Sequence, residues 1–167
     1  MKRRAFTLGA AATLGVAGCA SRDSKFLRYR GPEVTSIVVN KGARSMYLLN
    51  NEDILRHYKV DLGFAPEGHK QIEGDGKTPE GSYLINRRNP NSEFYLSLGI
   101  SYPNTADRER AAAMGKRPGG DIFIHGQPLK YRPTKRDWTA GCIAVQNEEI
   151  EEIYAMVREG TLITLRA

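Results

Sequence analysis

Residues 63–81 carry five glycines and two prolines (Gly63, Pro66, Gly68, Gly74, Gly76, Pro79 and Gly81), too many for a helix or a central strand. That stretch must be loop, and it divides the chain. Before it, residues 34–40, 45–50 and 54–62 are β-branched or alternating. Turns at Lys41-Gly42-Ala43 and at Asn50-Asn51-Glu52-Asp53 separate them, so the three read as an antiparallel meander. After it, residues 82–86, 94–98 and 161–165 read as strands, and residues 107–114 as a short helix stopped by Gly115. Asn147 reads as the N-cap of a helix over residues 148–158, with Ile150, Ile153, Tyr154 and Val157 on one face and Gly160 at its end. The pattern predicts one mainly β domain with two short helices.

The first 18 residues have another character. Lys2, Arg3 and Arg4 form a positive start, and residues 6–16 form an apolar, Ala-rich run that is too short to span a bilayer. Val16-Ala17-Gly18-Cys19 resembles a bacterial lipoprotein box, in which the cysteine becomes the lipidated first residue. Arg3-Arg4-Ala5-Phe6 also resembles a twin-arginine signal. We therefore expect a signal peptide over residues 1–18, a tether over residues 19–33 and the folded domain over residues 34–167. The formal charge of +6 includes the three basic residues of the signal. From Cys19 onward 22 basic residues stand against 19 acidic ones, a mild balance that does not argue for nucleic acid.

The densest chemistry lies in residues 121–147. Residues 122–124 read as a short buried strand that ends at His125. A basic, Pro-containing loop follows, then Trp138-Thr139-Ala140-Gly141-Cys142 and the apolar Ile143-Ala144-Val145. Cys142 lies seventeen positions after His125, enough for a loop to leave one strand end and return beside it. An imidazole can take the proton of a thiol that is otherwise mostly protonated at neutral pH. Gly141 permits close backbone approach, and the amides around Gly141 and Cys142 are candidates for binding a developing oxyanion.

Alternatives stand beside this reading. A cysteine flanked by apolar residues also reads as a small buried hydrophobe. A disulfide between Cys19 and Cys142, the only two cysteines, is a competing use of the thiol. Lys130, Arg132, Lys135 and Arg136 read either as a solvated loop or as an attractor for an acidic substrate. Trp138 walls a pocket or packs a core. A metal site from His57, His69, His125 and Cys142 lacks any short ligand spacing, so no metal or cofactor is expected.

Ile124-His125-Gly126, then Thr139-Ala140-Gly141-Cys142-Ile143, with Lys77-Thr78-Pro79-Glu80-Gly81 upstream, resembles the L,D-transpeptidase catalytic-domain (YkuD-type) family across roughly residues 34–166. Residues 73–81, 97–104 and 137–145 resemble its YafK-like murein branch. The resemblance implies a β-sandwich-like catalytic fold working on peptidoglycan stems in the periplasm, lipid-anchored through Cys19, with the outer membrane favoured because Ala20 follows that cysteine. It implies Cys142 as acyl-accepting nucleophile, His125 as general base and acid, Gly141 as oxyanion backbone and Thr139 as the usual hydroxyl residue before the cysteine. Thr139, Trp138, Arg132 and Arg136 are expected to contact substrate. Two positions depart from the family pattern. Ala140 stands where many members have a second histidine, and Ala144 where many have arginine. The implied reaction passes an acyl group through a thioester to an amine, in cross-linking or lipoprotein attachment. Water as acceptor would make the protein a carboxypeptidase, and attack on a lipoprotein-linked lysine amide would release an envelope lipoprotein. A non-catalytic envelope-binding lipoprotein, with Trp138, Tyr131 and Tyr102 as glycan contacts, is the reading from another class.

Overall fold

The computed structural model describes residues 24–167; Cys19, the signal segment and the first part of the tether lie outside the described residues. Eight strands and two helices follow in the order β1 (Ser36–Asn40), β2 (Ser45–Asn50), β3 (Asp53–Lys59), β4 (Gly81–Ser92), β5 (Tyr95–Ile100), α1 (Thr105–Ala113), β6 (Phe123–His125), β7 (Ile143–Ala144), α2 (Asn147–Met156) and β8 (Leu162–Arg166). They form one hydrogen-bonded sheet in the order β3-β2-β1-β8-β4-β5-β6-β7.

The meander β1-β2-β3 forms as its turns and alternation require, with Ile37, Val39, Met46 and Leu48 fully buried. Burying each such side chain contributes about 1.5–3 kcal/mol. The last strand, β8, enters the sheet parallel to β1 and lies between β1 and β4, inside the sheet. β4 joins the two halves. Gly81–Leu84 pair with β8, and the residues from Ile85 onward pair with β5 through two register shifts that bend the sheet. β4 therefore runs past the expected end at Asn86 to Ser92. Its polar second half shows no apolar alternation, and pairing with β5 alone holds it in the sheet.

The chain leaving β3 then stitches the far edge. Asp61 and Ala144 exchange two backbone hydrogen bonds of 2.9 and 2.8 Å, and Gly63 bridges to Thr139. The segment that follows β3 at one edge of the sheet thus meets β7 at the other, and the domain is mainly β, as expected of the β-sandwich-like fold. Residues 60–62, expected to continue the third strand, instead make this junction.

The helices also adjust. Asn104 caps α1, and Asp107 returns the bond to the Asn104 N–H at 3.0 Å. In α2 the cap position is Gln146, whose N–H donates to Glu149 at 2.8 Å. Asn147, expected as the cap, is the first helical residue, and its side-chain oxygen accepts the Gln127 N–H at 2.8 Å. A loop bond reaching back 20 residues thus takes the side chain that local pattern assigned to the helix. Val157 turns extended after Met156, and Arg88 caps the helix end by donating to the Tyr154 and Val157 carbonyls. Of the expected tether, residues 24–33 lie along the domain. Lys25 donates to the Pro90 carbonyl at 2.6 Å, and Tyr29 packs on the core.

Candidate active site

β6 and β7 are parallel neighbours, with Ile124 opposite Ile143 and His125 opposite Ala144. Parallel pairing demands a long crossover, and the 126–142 loop is that crossover. Ile124 and Ile143 are fully buried on one face. Alternation along the strands puts His125 and Cys142 on the other. Both open onto one cavity of about 310 Å³, walled also by Glu93, Phe94, Asp121 and Phe123. The thiol and imidazole predicted to approach each other from separate strand ends do share a site.

His125 is only 2 % exposed. Its ring lies 4.4 Å from that of Phe94 and 5.6 Å, edge-on, from that of Trp138. Its Nδ1 is 2.7 Å from the Gly126 carbonyl oxygen. A carbonyl only accepts, so Nδ1 carries the proton and Nε2 presents a bare lone pair. The backbone thus supplies the orienting partner that Ala140 does not. Gly126 is sterically required there, because a Cβ would come within 2.6 Å of Asn147 Oδ1 and 3.1 Å of the Phe94 carbonyl. Burial lowers the imidazole to about 4, only partly opposed by the Gly126 hydrogen bond, so the ring is neutral at pH 7.

Cys142 is a free, half-buried thiol. Sγ donates to the Asp121 carbonyl oxygen at 3.4 Å. Burial pushes the thiol up to about 11; the Phe123 backbone hydrogen bond and Lys70 pull the other way, and Asp121 adds to the rise. The resting site is therefore a neutral thiol beside a neutral imidazole, not an ion pair.

The turn before Cys142 is built from its own residues. Thr139 is buried; its hydroxyl donates to the Cys142 carbonyl at 2.7 Å and accepts the Gly141 N–H at 3.1 Å. Gly141 adopts φ +135°, and a Cβ there would lie 2.7 Å from the Lys77 carbonyl. The Gly141 N–H, expected to face an oxyanion, is used inside the turn, and the Cys142 N–H is unbonded among the described residues. The Thr139 hydroxyl, expected to contact substrate, is engaged within this turn.

The Lys77-Thr78-Pro79-Glu80-Gly81 segment is the floor beneath it. The Thr78 hydroxyl accepts the Gly63 N–H at 3.1 Å, and the buried Lys41 donates to the Gly68 and Thr78 carbonyls and to Glu80. The turn's entrance is clamped by Arg44, which donates from Nε and Nη2 to the Asp137 carboxylate, while Asp137 also accepts the Leu62 N–H at 3.0 Å. Those contacts hold the Asp137 carboxyl below the usual range against the opposing effect of its burial.

Trp138 is half-buried and lines a second cavity of about 560 Å³ together with Lys130, Tyr131, Arg132 and Lys135. Arg132 is thus placed at a cavity, whereas Arg136 is exposed and lines neither. His57 stacks on Tyr47 at 4.5 Å. His69 accepts the Glu80 N–H and meets Asp107 at 3.0 Å, far along the sequence from Cys142. Four contributors were invisible to sequence reasoning: Phe94, Asp121, the Gly126 carbonyl and the Arg44–Asp137 pair. Only the left-handed backbone at Asp121, after Gly119-Gly120, had any local signal.

Fold and site together define a mainly β domain with a cysteine–histidine cleft at the end of two parallel strands. Residues 35–165 match the model of the YkuD family, the L,D-transpeptidase catalytic domain, and the chain belongs to that family. YafK of Escherichia coli strain K12, named as a candidate L,D-transpeptidase, is 32% identical over 106 residues, 62% of this chain and 37% of that protein. The helical cell shape determining protein Pgp2 of Campylobacter jejuni, as a K307A mutant, matches with 30% identity and a TM-score of 0.64, over 84% of this chain and 49% of that one. Bd1075 of Bdellovibrio bacteriovorus matches with 27% identity and a TM-score of 0.56, over 79% and 47%. This chain spans half or less of the length of each.

Proposed function

We propose that this protein is a cysteine-dependent acyltransferase acting on peptidoglycan stems, with Cys142 as nucleophile and His125 as its base. The observation that carries this reading is the shared cavity of Cys142 and His125, with the imidazole held in the tautomer that bares Nε2. Family membership supports the substrate class. Occupation of the cavity displaces the thiol from Asp121. Nε2 takes the Sγ proton as sulfur attacks the carbonyl between an L-centre and the terminal D-Ala of a tetrapeptide stem. The Cys142 N–H faces the developing oxyanion, an interaction typically worth about 2.7–4 kcal/mol. His125 returns the proton to the departing D-Ala amine, leaving a thioester. An amine then takes the acyl group, forming a cross-link or a lipoprotein attachment.

The protein is further proposed to work in the periplasm, anchored by lipid on Cys19, with the outer membrane favoured. The same residues with water as acceptor would make an L,D-carboxypeptidase, or an amidase that frees a peptidoglycan-linked lipoprotein.

Mass spectrometry of muropeptides incubated with the purified protein and with Cys142→Ala tests the proposal. Loss of D-Ala with new cross-linked masses, absent in the variant, is the expected result. Loss of D-Ala without cross-links assigns the carboxypeptidase, and release of lipoprotein-linked stems assigns the amidase. Inactivity on every substrate points to the non-catalytic binding protein.

A further inference from the structure

The cavity that holds the nucleophile has a one-sided charge. Its acidic side chains are Glu93 and Asp121, and its only basic side chain is His125, which burial keeps neutral. Asp121 is partly answered by Arg87, 3.1 Å away, but both partners are largely exposed and such pairs contribute little. Glu93 is exposed and forms no ion pair among the described residues. Into the same cavity points His125, 2 % exposed, with Nδ1 bonded to Gly126 and Nε2 free for an incoming group. The neighbouring cavity is of the opposite bias: Lys130, Arg132 and Lys135 outnumber Asp61 and Glu148 there. The two meet at the contact between the His125 and Trp138 rings.

We propose that Glu93, assisted by Asp121, selects a cationic acceptor, so that a primary ammonium enters on the Glu93 side while the carboxylates of the acyl donor lie across Trp138 against Lys130, Arg132 and Lys135. This rests on the acyl-transfer reading above and adds to it which residues choose the acceptor. Like charge excludes a carboxylate from the Glu93 side and opposite charge concentrates an ammonium there. The step balances. The ammonium first gives one proton to solvent through His125. Its nitrogen then bonds to the thioester carbonyl carbon, the carbon–sulfur bond breaks, and the second proton passes to the departing thiolate, restoring Cys142.

The test uses the full-length protein with a stem tetrapeptide as donor and two acceptors: a D-amino acid amide, cationic at pH 7, and hydroxylamine, neutral at pH 7. Intact-protein mass spectrometry first records the acyl adduct on Cys142 with donor alone. Glu93→Gln is expected to raise KM for the cationic amide about fivefold while shifting KM for hydroxylamine less than about twofold, with kcat for the amide little changed. Asp121→Asn, which keeps a residue tolerant of left-handed backbone, is expected to act in the same direction more weakly. Equal effects on both acceptors, or no effect on the amide, with the adduct still forming, would overturn the selection by Glu93 and leave the acyl-transfer reading intact. Absence of any Cys142 adduct in the wild-type protein would remove both.

Discussion

The Cys142 thiol donates its hydrogen bond to the Asp121 carbonyl, 3.4 Å away, and not to the imidazole that shares its cavity. The Cys142 thiol is thus parked on a backbone acceptor supplied by the chain entering β6. Asp121 holds that carbonyl with a left-handed backbone, φ +54°, and its carboxylate adds to the rise of the thiol.

A parked, neutral thiol reacts slowly with small electrophiles. With the thiol near 11, roughly one molecule in ten thousand is ionised at pH 7. The rate of Cys142 alkylation by iodoacetamide in the free protein should climb about tenfold per pH unit from 7 to 9. A plateau reached by pH 7 would mean that a thiolate–imidazolium pair, and not a neutral pair, exists at rest.

His125 makes stability depend on acid. Its folded value, about 4, lies below the unfolded value near 6.5, so the unfolded chain binds the proton more tightly in between. The contribution is complete above pH 6.5 and is lost as pH falls through 4, about 3 kcal/mol in all. Urea unfolding followed between pH 7 and 4 should show this slope, and His125→Gln should flatten it. In the wild-type protein the acid limb of kcat/KM should fall near pH 4, where the free imidazole protonates.

Thr139→Val should leave the Gly141 N–H and the Cys142 carbonyl without the partner that shapes their turn. The expected loss is about 1–3 kcal/mol of stability together with a fall in kcat, and Thr139→Ser should recover most of both. If the Thr139→Val variant supported full turnover, the hydroxyl would have no part in placing the Cys142 thiol.

Gly141→Ala meets two obstacles, φ +135° and the Lys77 carbonyl 2.7 Å from the new methyl. Destabilisation above about 2 kcal/mol is expected, read from thermal melts. Gly115→Ala is the control, since open space surrounds that position and only its φ of +65° opposes the change.

Arg44→Ala should free the loop entrance by removing the clamp on Asp137. A cost of about 1–3 kcal/mol is expected, because the Asp137 side chain is 14 % exposed and loses its guanidinium partner. A double-mutant cycle with Asp137→Asn measures the coupling; additive losses would show that the pair does not act as a unit.

Strands β1 and β2 were legible in the sequence because one face of each must be buried and their side chains alternate accordingly. The glycine-rich break, the two helices and the His125–Cys142 spacing were legible for equally local reasons. The polar half of β4 was not, since only its partner β5 makes it a strand. Nor was the use of Asn147 in a loop instead of a cap, or the separation of Arg132, at a cavity, from Arg136, which faces solvent.

By itself the sequence determined which chemical groups are present and which segments are extended, helical or turn. Those follow from side-chain identity and from forces acting over a few residues. The tertiary structure alone decided that the thiol meets the Asp121 carbonyl, that Gly126 sets the histidine tautomer, that Phe94 stacks on His125 and that Arg44 clamps Asp137. Each of these, apart from the backbone at Gly126, joins residues at least 21 positions apart. Such meetings depend on how the whole sheet curls and closes, a sum of many weak burial terms that no short window contains.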